Sequence, residues 1–337
     1  MLMLTMSLRC DYEESMCDSV QNYVPGVLRA DSLDEFRSQV VRRLSLCSQS
    51  VVLLCLALVS SAVVCAENDR PQKLLTGRRF RQSLEIRRGL HIENAPLRQV
   101  MVTLQQGAGL CVVIDRRIDP SFPLTLNTGV VPTRDLLRQV AAELPCSGLS
   151  VNRTFVFIGP KEVSRRLRTL CELNRLTILQ SRSHFKPETY AKISTARAFE
   201  WAEPESPREL LTALAAQSGL AVVNPEVVPY DLWHAGRLPV MPFAESATLL
   251  LIQFDLTFSV DAHRGQCRVV PVPESVFLNR YHRVSRRRRE TTKRRLTQEF
   301  PGLSSEWGPS GVHVSASYEQ HQKIADLLLS AGESSGR

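Results

Sequence analysis

Leu97, Val100, Met101 and Leu104 recur at three- and four-residue spacing, and the pattern stops at Gly109 before the short run Leu110-Cys111-Val112-Val113. This is the mark of an amphipathic helix ended by glycine and followed at once by a strand. The same succession returns 110 residues later without a gap, from Pro207 through Leu210, Leu211 and Leu214 to Gly219-Leu220-Ala221-Val222-Val223. Ser206-x-x-Glu209 with Pro207 at the first helical position forms a capping box. Asn94 is expected to cap the first helix in the same way.

The pattern continues alike in both copies. In the first, Leu124-Thr125-Leu126 predicts a short strand and Thr133 to Leu144 a helix with Leu136, Leu137, Val140 and Ala141 inward. Gly148 is expected to end that helix. Leu149-Ser150-Val151 then pairs with Thr154 to Ile158 across Asn152-Arg153. In the second, Ala244 to Ile252 predicts the helix, and Leu256 to Val260 with Cys267 to Val270 the hairpin. Strands with Leu84, Ile86 and Leu90 to Ile92 open the first copy, and Ala198 to Trp201 opens the second. Each copy thus predicts strand, helix, strand, helix, hairpin, with helices over one face of a small sheet.

The fold class expected is α+β, as tandem small two-layer βαβ-type modules. The boundaries are a module over 82–160, a basic helix and linker over 161–192, a second module over 193–273, and a divergent third over 274–332. Within 161–192, Lys161 to Leu176 reads as the connecting helix and Ser181 to Ser194 as a looser linker. In the third module Arg286 to Phe300 predicts a basic helix, Ser304 to Ser315 a hairpin, and Tyr318 to Leu329 a closing helix.

Ahead of the repeat, Val51 to Ala66 carries no charge, follows Arg42-Arg43 and precedes Glu67-Asn68-Asp69-Arg70. It is shorter than the roughly 20 residues a spanning helix needs. Its layout is that of a secretory signal peptide over 40–66, cleaved after Ala66, with an uncleaved membrane anchor as the alternative. Residues 1–39 read as a disordered leader or a mis-assigned start, with translation beginning near Val40 or Val41. Residues 67–81 read as a linker.

Composition changes this picture only in part. Of 337 residues, 43% are hydrophobic and 23% charged, which excludes a wholly disordered or collagenous chain. Nine cysteines are too few for a disulfide scaffold, and only Cys111, Cys146, Cys171 and Cys267 follow Ala66, at no ligand-like spacing. They read as small buried hydrophobes, with pairing left open. Arg280, Arg283, Arg286, Arg287, Arg288, Arg289, Lys293, Arg294 and Arg295 against Glu290 give +8 over 16 residues, most of the +10 carried by residues 67–337. Arg286, Arg287, Arg288, Arg289, Lys293, Arg294 and Arg295 are the candidate anion-binding residues, with a merely solvated basic face as the alternative.

No H-E-x-x-H, C-x-x-C, G-x-S-x-G, G-x-x-x-x-G-K or G-x-G-x-x-G occurs, so no catalytic residue, metal ligand or cofactor is assigned, and no enzyme is expected. The second copy carries the insertion Pro229-Tyr230-Asp231-Leu232-Trp233-His234. Tyr230, Asp231, Trp233 and His234 are the candidate partner-binding residues, because aromatic side chains on loops anchor interfaces. The alternative is that Trp233 packs into its own module.

Asn94-Ala95-Pro96-Leu97, Gly109-Leu110-x-Val112-Val113 and Gly148-Leu149-Ser150-Val151 resemble the small periplasmic modules at the N-termini of secretins and TonB-dependent receptors. Gly311 to Ala316 running into Glu319-x-His321-x-x-Ile324 resembles the ending of the related secretin N-domain repeat. Nothing after residue 273 alternates long enough to build a transmembrane barrel. The resemblance implies a module array without a pore, whose modules bind partner proteins or stack together. The expected function is therefore an exported, non-enzymatic interaction or assembly protein of the cell envelope, periplasmic or membrane-anchored. Its expected partner is an envelope protein, with an anionic polymer, a lipid surface or a second copy as further partners. The alternative is an intracellular protein that binds nucleic acid through residues 280–295, with the apolar segment misread; no aromatic side chain is interleaved with the run from Arg286 to Arg295, which favours a merely solvated basic face.

Overall fold

The computed structural model describes residues 74–333. The leader, the signal peptide and its cleavage point lie outside the described residues. The first copy begins with α1 (Gly77–Glu85), followed by β1 (Arg87–Pro96), α2 (Leu97–Ala108), β2 (Val112–Ile114), β3 (Pro123–Pro132), α3 (Thr133–Glu143), β4 (Ser147–Val151) and β5 (Val156–Pro160). After α4 (Lys161–Gln180) the second copy repeats the order. It has α5 (Pro187–Ser194), β6 (Arg197–Trp201), α6 (Pro207–Gln217), β7 (Ala221–Val222), β8 (Gly236–Met241), α7 (Phe243–Leu251), β9 (Leu256–Asp261) and β10 (Gln266–Pro271).

The pairing is the same in both. β1 lies antiparallel to β3, as β6 does to β8. β2 runs parallel to β5, with β4 antiparallel on the other side, and β7, β10 and β9 repeat that arrangement. Five of the elements start 110 residues apart in the two copies: Gly77 and Pro187, Arg87 and Arg197, Leu97 and Pro207, Thr133 and Phe243, Val156 and Gln266. Gly109 and Gly219 follow the equivalent helices α2 and α6 with φ of 65° and 77°, where a side chain would be strained. The fold is α+β, built from several small sheets. Each copy divides its strands between a two-stranded and a three-stranded sheet, instead of the single sheet expected.

Several local expectations are corrected. Residues 77–85 form a helix where a linker and a strand bearing Leu84 and Ile86 were expected. Phe80 and Leu84, four apart, are buried together, and the Ser83 hydroxyl donates to the Ala108 carbonyl at 2.6 Å. Residues 187–194 also form a helix, not a loose linker, with Pro187 at its start and Ile193 buried. The two corrections concern one element, since α1 and α5 occupy the same place in successive copies. Asn94 does not cap α2. It sits in β1 with φ 48°, at an irregularity in the pairing, and its N–H donates to Thr125 Oγ1. The first-turn N–H groups of Leu97 and Arg98 donate instead to the carbonyls of Phe122 and Pro120. Helix α3 ends at Glu143, and Gly148 belongs to β4. The capping box at Ser206 and Glu209 is present.

β5 explains why the copies are not separate beads. Val156 and Ile158 face the core beneath α1, α2 and α3, whereas Phe155 and Phe157 belong to a second core shared with α4, α6 and α7. A strand buried on both faces reads as a continuous apolar run, and Phe155-Val156-Phe157-Ile158 is one. Helix α4 extends four residues past Leu176, and Val163, Leu167, Leu170, Cys171 and Ile178 bury it in that second core.

The last segment has a different topology. β11 (Leu278–Arg283), a 3-10 turn over Arg286–Arg288, α8 (Arg289–Glu299), β12 (Ser304–Gly308), β13 (Gly311–Ala316) and α9 (Tyr318–Glu333) follow one another, and the sheet order is β11-β13-β12. Val284, Leu296, Val312, Val314, Ala316 and Ile324 form its small core.

Candidate interaction surfaces

The insertion between β7 and β8 divides its side chains between the scaffold and solvent. Asp231 accepts from Arg116 Nε at 2.8 Å, which ties the insertion to the β2–β3 loop of the first copy. The Arg116 guanidinium also lies over the Phe254 ring at 4.7 Å. Trp233 stacks on the other ring partner, Phe254, at 6.2 Å, and its indole N–H donates to Asp231 Oδ2 at 3.2 Å. Its backbone bridges to Glu205 in both directions at 3.0 Å. Burial would raise the Asp231 carboxyl, but donors from Arg116, the Leu232 N–H and Trp233 outweigh it and hold the group below the ordinary carboxylate range.

Trp233 thus packs against its own module, and Asp231 works as a tie between copies. His234 is exposed, and its carbonyl accepts from the Trp201 indole at 2.7 Å. Tyr230 remains outward, 72% exposed, and the neighbouring Leu232 is 57% exposed. Leu232 was not singled out from sequence. Its exposure depends on which way the loop turns, and Trp233 settles that by turning in.

The basic segment lies mostly outward. Arg286, Arg287, Lys293, Arg294 and Arg295 are exposed, and Arg288 and Arg289 are half-buried; Thr292 and Leu296 alone anchor α8 inward. Arg280 belongs elsewhere. It donates to Glu172 Oε1 at 2.7 Å, beside Arg175, which grips the same carboxylate through two contacts of 2.9 Å. Burial would raise Glu172, but Arg175 and Arg280 hold it below its ordinary value.

This cluster is a polar hub that the sequence did not reveal. The Tyr318 ring at the start of α9 lies between the guanidiniums of Arg168, at 4.5 Å, and Arg280, at 5.2 Å. Its N–H donates to Thr169 Oγ1 at 3.0 Å, and Arg168 reaches Glu319 at 3.5 Å. Asn174 donates to the hydroxyls of Thr248 and Thr257 at 2.8 and 3.1 Å. Glu245, on α7, is pushed up by burial. Nothing in local periodicity signals this hub, because its members come from α4, α7, β9, β11 and α9.

Two histidines pair nearby. His282 Nε2 and His321 Nδ1 are 2.9 Å apart with stacked rings, and His321 Nε2 lies 2.9 Å from the Leu278 carbonyl. His321 therefore carries its proton on Nε2 and accepts from His282. Cys111, Cys171 and Cys267 are buried free thiols, and burial pushes Cys111 and Cys267 up to about 12. Cys146 is free and exposed. Among the described residues no three His, Cys, Asp or Glu side chains stand together as metal ligands, and no helix is long and apolar enough to cross a membrane.

No family model matches the chain, and no curated protein matches it. Among solved structures, a chain in an atomic model of the Salmonella SPI-1 type III secretion injectisome basal body proteins InvG, PrgH and PrgK is similar at 11% identity. The overlap covers 72% of this chain and 45% of that one, with a TM-score of 0.19. This chain thus spans less than half the length of the structure it aligns with, and an overlap that loose carries no argument about function.

Proposed function

We propose that this protein is an exported, non-enzymatic assembly module of the cell envelope, which docks a protein partner through the exposed tip of its second copy. The observation that carries the reading is the repeated topology, in which one α+β arrangement occurs twice and polar residues of the insertion lock the copies together. A duplicated scaffold with charged groups engaged in internal ties offers surfaces for docking. The resemblance of Asn94 to Val113 and Gly148 to Val151 to periplasmic secretin and TonB-receptor modules supports the envelope location.

Tyr230 and Leu232 are the residues offered to the partner, since Asp231 and Trp233 hold the loop in place. Fractionation with N-terminal sequencing tests the location: a chain beginning at Glu67 in the envelope fraction supports it, and an intact cytosolic chain overturns it. Site-specific crosslinking from position 230 in cells tests the docking tip. A discrete crosslinked species that disappears in Leu232→Ser supports it, and no crosslink from a correctly exported chain overturns it.

A further inference from the structure

We infer that the cationic face made by the end of β11, the 3-10 turn and α8 docks on the surface of an anionic lipid bilayer. Arg283, Arg286, Arg287, Lys293, Arg294 and Arg295 are exposed there and form no ion pair among the described residues. Several other arginines are paired, Arg116 with Asp231, Arg117 with Asp115, Arg134 with Glu85, Arg138 with Asp135, Arg175 and Arg280 with Glu172. Arg78, Arg79 and Arg81 on α1 are exposed without an ion pair among the described residues, but nowhere else in the sequence do four arginines stand in a row. In this segment two carboxylates, Glu290 and Glu299, stand against eight cations from Arg283 to Arg295.

The arrangement works against the folded chain. Like charges crowd one short element, and four arginines lead into the positive end of the α8 dipole, where cations are disfavoured. An external array of anions relieves both terms. The helix carries no aromatic side chain, and its one large apolar residue, Leu296, is turned into the core. Cores of protein interfaces are depleted in charge and anchored by aromatics, and single-stranded nucleic acid is held by stacking on them. An outward helix face is a convex ridge. A plane of lipid phosphates asks only for raised cations, and guanidinium forks match phosphate oxygens.

Each Lys or Arg held near an anionic membrane surface strengthens partition roughly fivefold. The inference does not rest on Tyr230 or Leu232. The test is cosedimentation of the full chain with phosphatidylcholine vesicles, with and without phosphatidylglycerol. Binding is expected to need phosphatidylglycerol and to weaken strongly at about 0.5 M salt, where screening is nearly complete.

Replacing Arg287, Lys293, Arg294 and Arg295 together by Gln is expected to weaken phosphatidylglycerol binding by between two and three orders of magnitude. The unfolding midpoint should be unchanged or raised. Replacing Arg287, Arg294 and Arg295 by Lys keeps the charge and is expected to keep the binding. Equal binding to both vesicle types, loss in the Lys variant as in the Gln variant, or binding to duplex DNA with none to phosphatidylglycerol would overturn the inference. Because these readouts leave the docking tip untouched, their failure is distinct from failure of the crosslink at position 230.

Discussion

Arg117 closes the joint between the two copies through a carboxylate that has no access to water. Asp115 is 0% exposed and accepts from the Arg117 backbone N–H at 2.9 Å and from its Nε and Nη2 at 2.8 Å each. The same guanidinium crosses to the second copy, reaching Asp255 at 3.0 Å and the Ile252 carbonyl at 3.3 Å. Hydrogen bonding to Asp115 raises the Arg117 pKa beyond its already high value, so the guanidinium stays charged. Arg117→Met strands a buried negative charge, and breaking such a pair from one side costs about 3–5 kcal/mol. The Asp255 branch adds less than about 1 kcal/mol, because that carboxylate is 70% exposed. Adding Asp115→Asn removes the charge and leaves an underused amide, which lowers the total loss to about 1–3 kcal/mol. Urea unfolding of both variants, followed by far-UV circular dichroism and compared at equal m-value, measures the difference. A double variant as unstable as Arg117→Met, or a single variant within about 1 kcal/mol of the parent, would refute the reasoning.

Three further outcomes follow from the geometry. Burial, the neighbouring imidazole and Arg280 lower His282, and burial and Arg280 lower His321 against the hydrogen bond to Leu278. The unfolded chain therefore takes up protons first, so this contribution to stability is present above the ordinary imidazole value of about 6.5 and is lost as pH falls through it. The unfolding midpoint should fall more steeply below about pH 6.5 than in His282→Gln, and parallel curves would refute this. A Cβ at Gly311 would lie 2.2 Å from the His282 carbonyl, a backbone atom, so Gly311→Ala should open the β11–β13 pairing; amide exchange of β11 residues as slow as in the parent would contradict it. In a chain starting at Glu67, Cys146 should react rapidly with a thiol reagent while Cys111, Cys171 and Cys267 react only on unfolding, and a second fast thiol would disprove the burial.

The sequence made the repeat legible because its helices obey a 3.6-residue period and its glycines fall at equivalent ends. Gly109 and Gly219 mark real left-handed turns, and Ser206 with Glu209 forms the expected box. It did not show α1 and α5, which are short and begin beside loop-forming residues, so that their burial is decided by distant neighbours. Asn94 misled for a related reason, since tertiary carbonyls took over its capping task. Of the candidate surfaces, the basic segment lies outward as its composition implies. The insertion could be located but not oriented, because the partners of Asp231 and Trp233 are Arg116 and Phe254, one 115 residues away in sequence. The hub about Glu172 and Tyr318 was invisible for the same reason.

The two-sided burial of Phe155 to Ile158 has a practical consequence for anyone dissecting this chain. A fragment that stops at Pro160 would leave the rings of Phe155 and Phe157 bare, a sticky patch that invites aggregation. Excision at the repeat boundary is therefore the wrong cut. The smallest piece that keeps both rings covered must run through α4 and the whole second copy, so the two copies are to be expressed and purified as one unit.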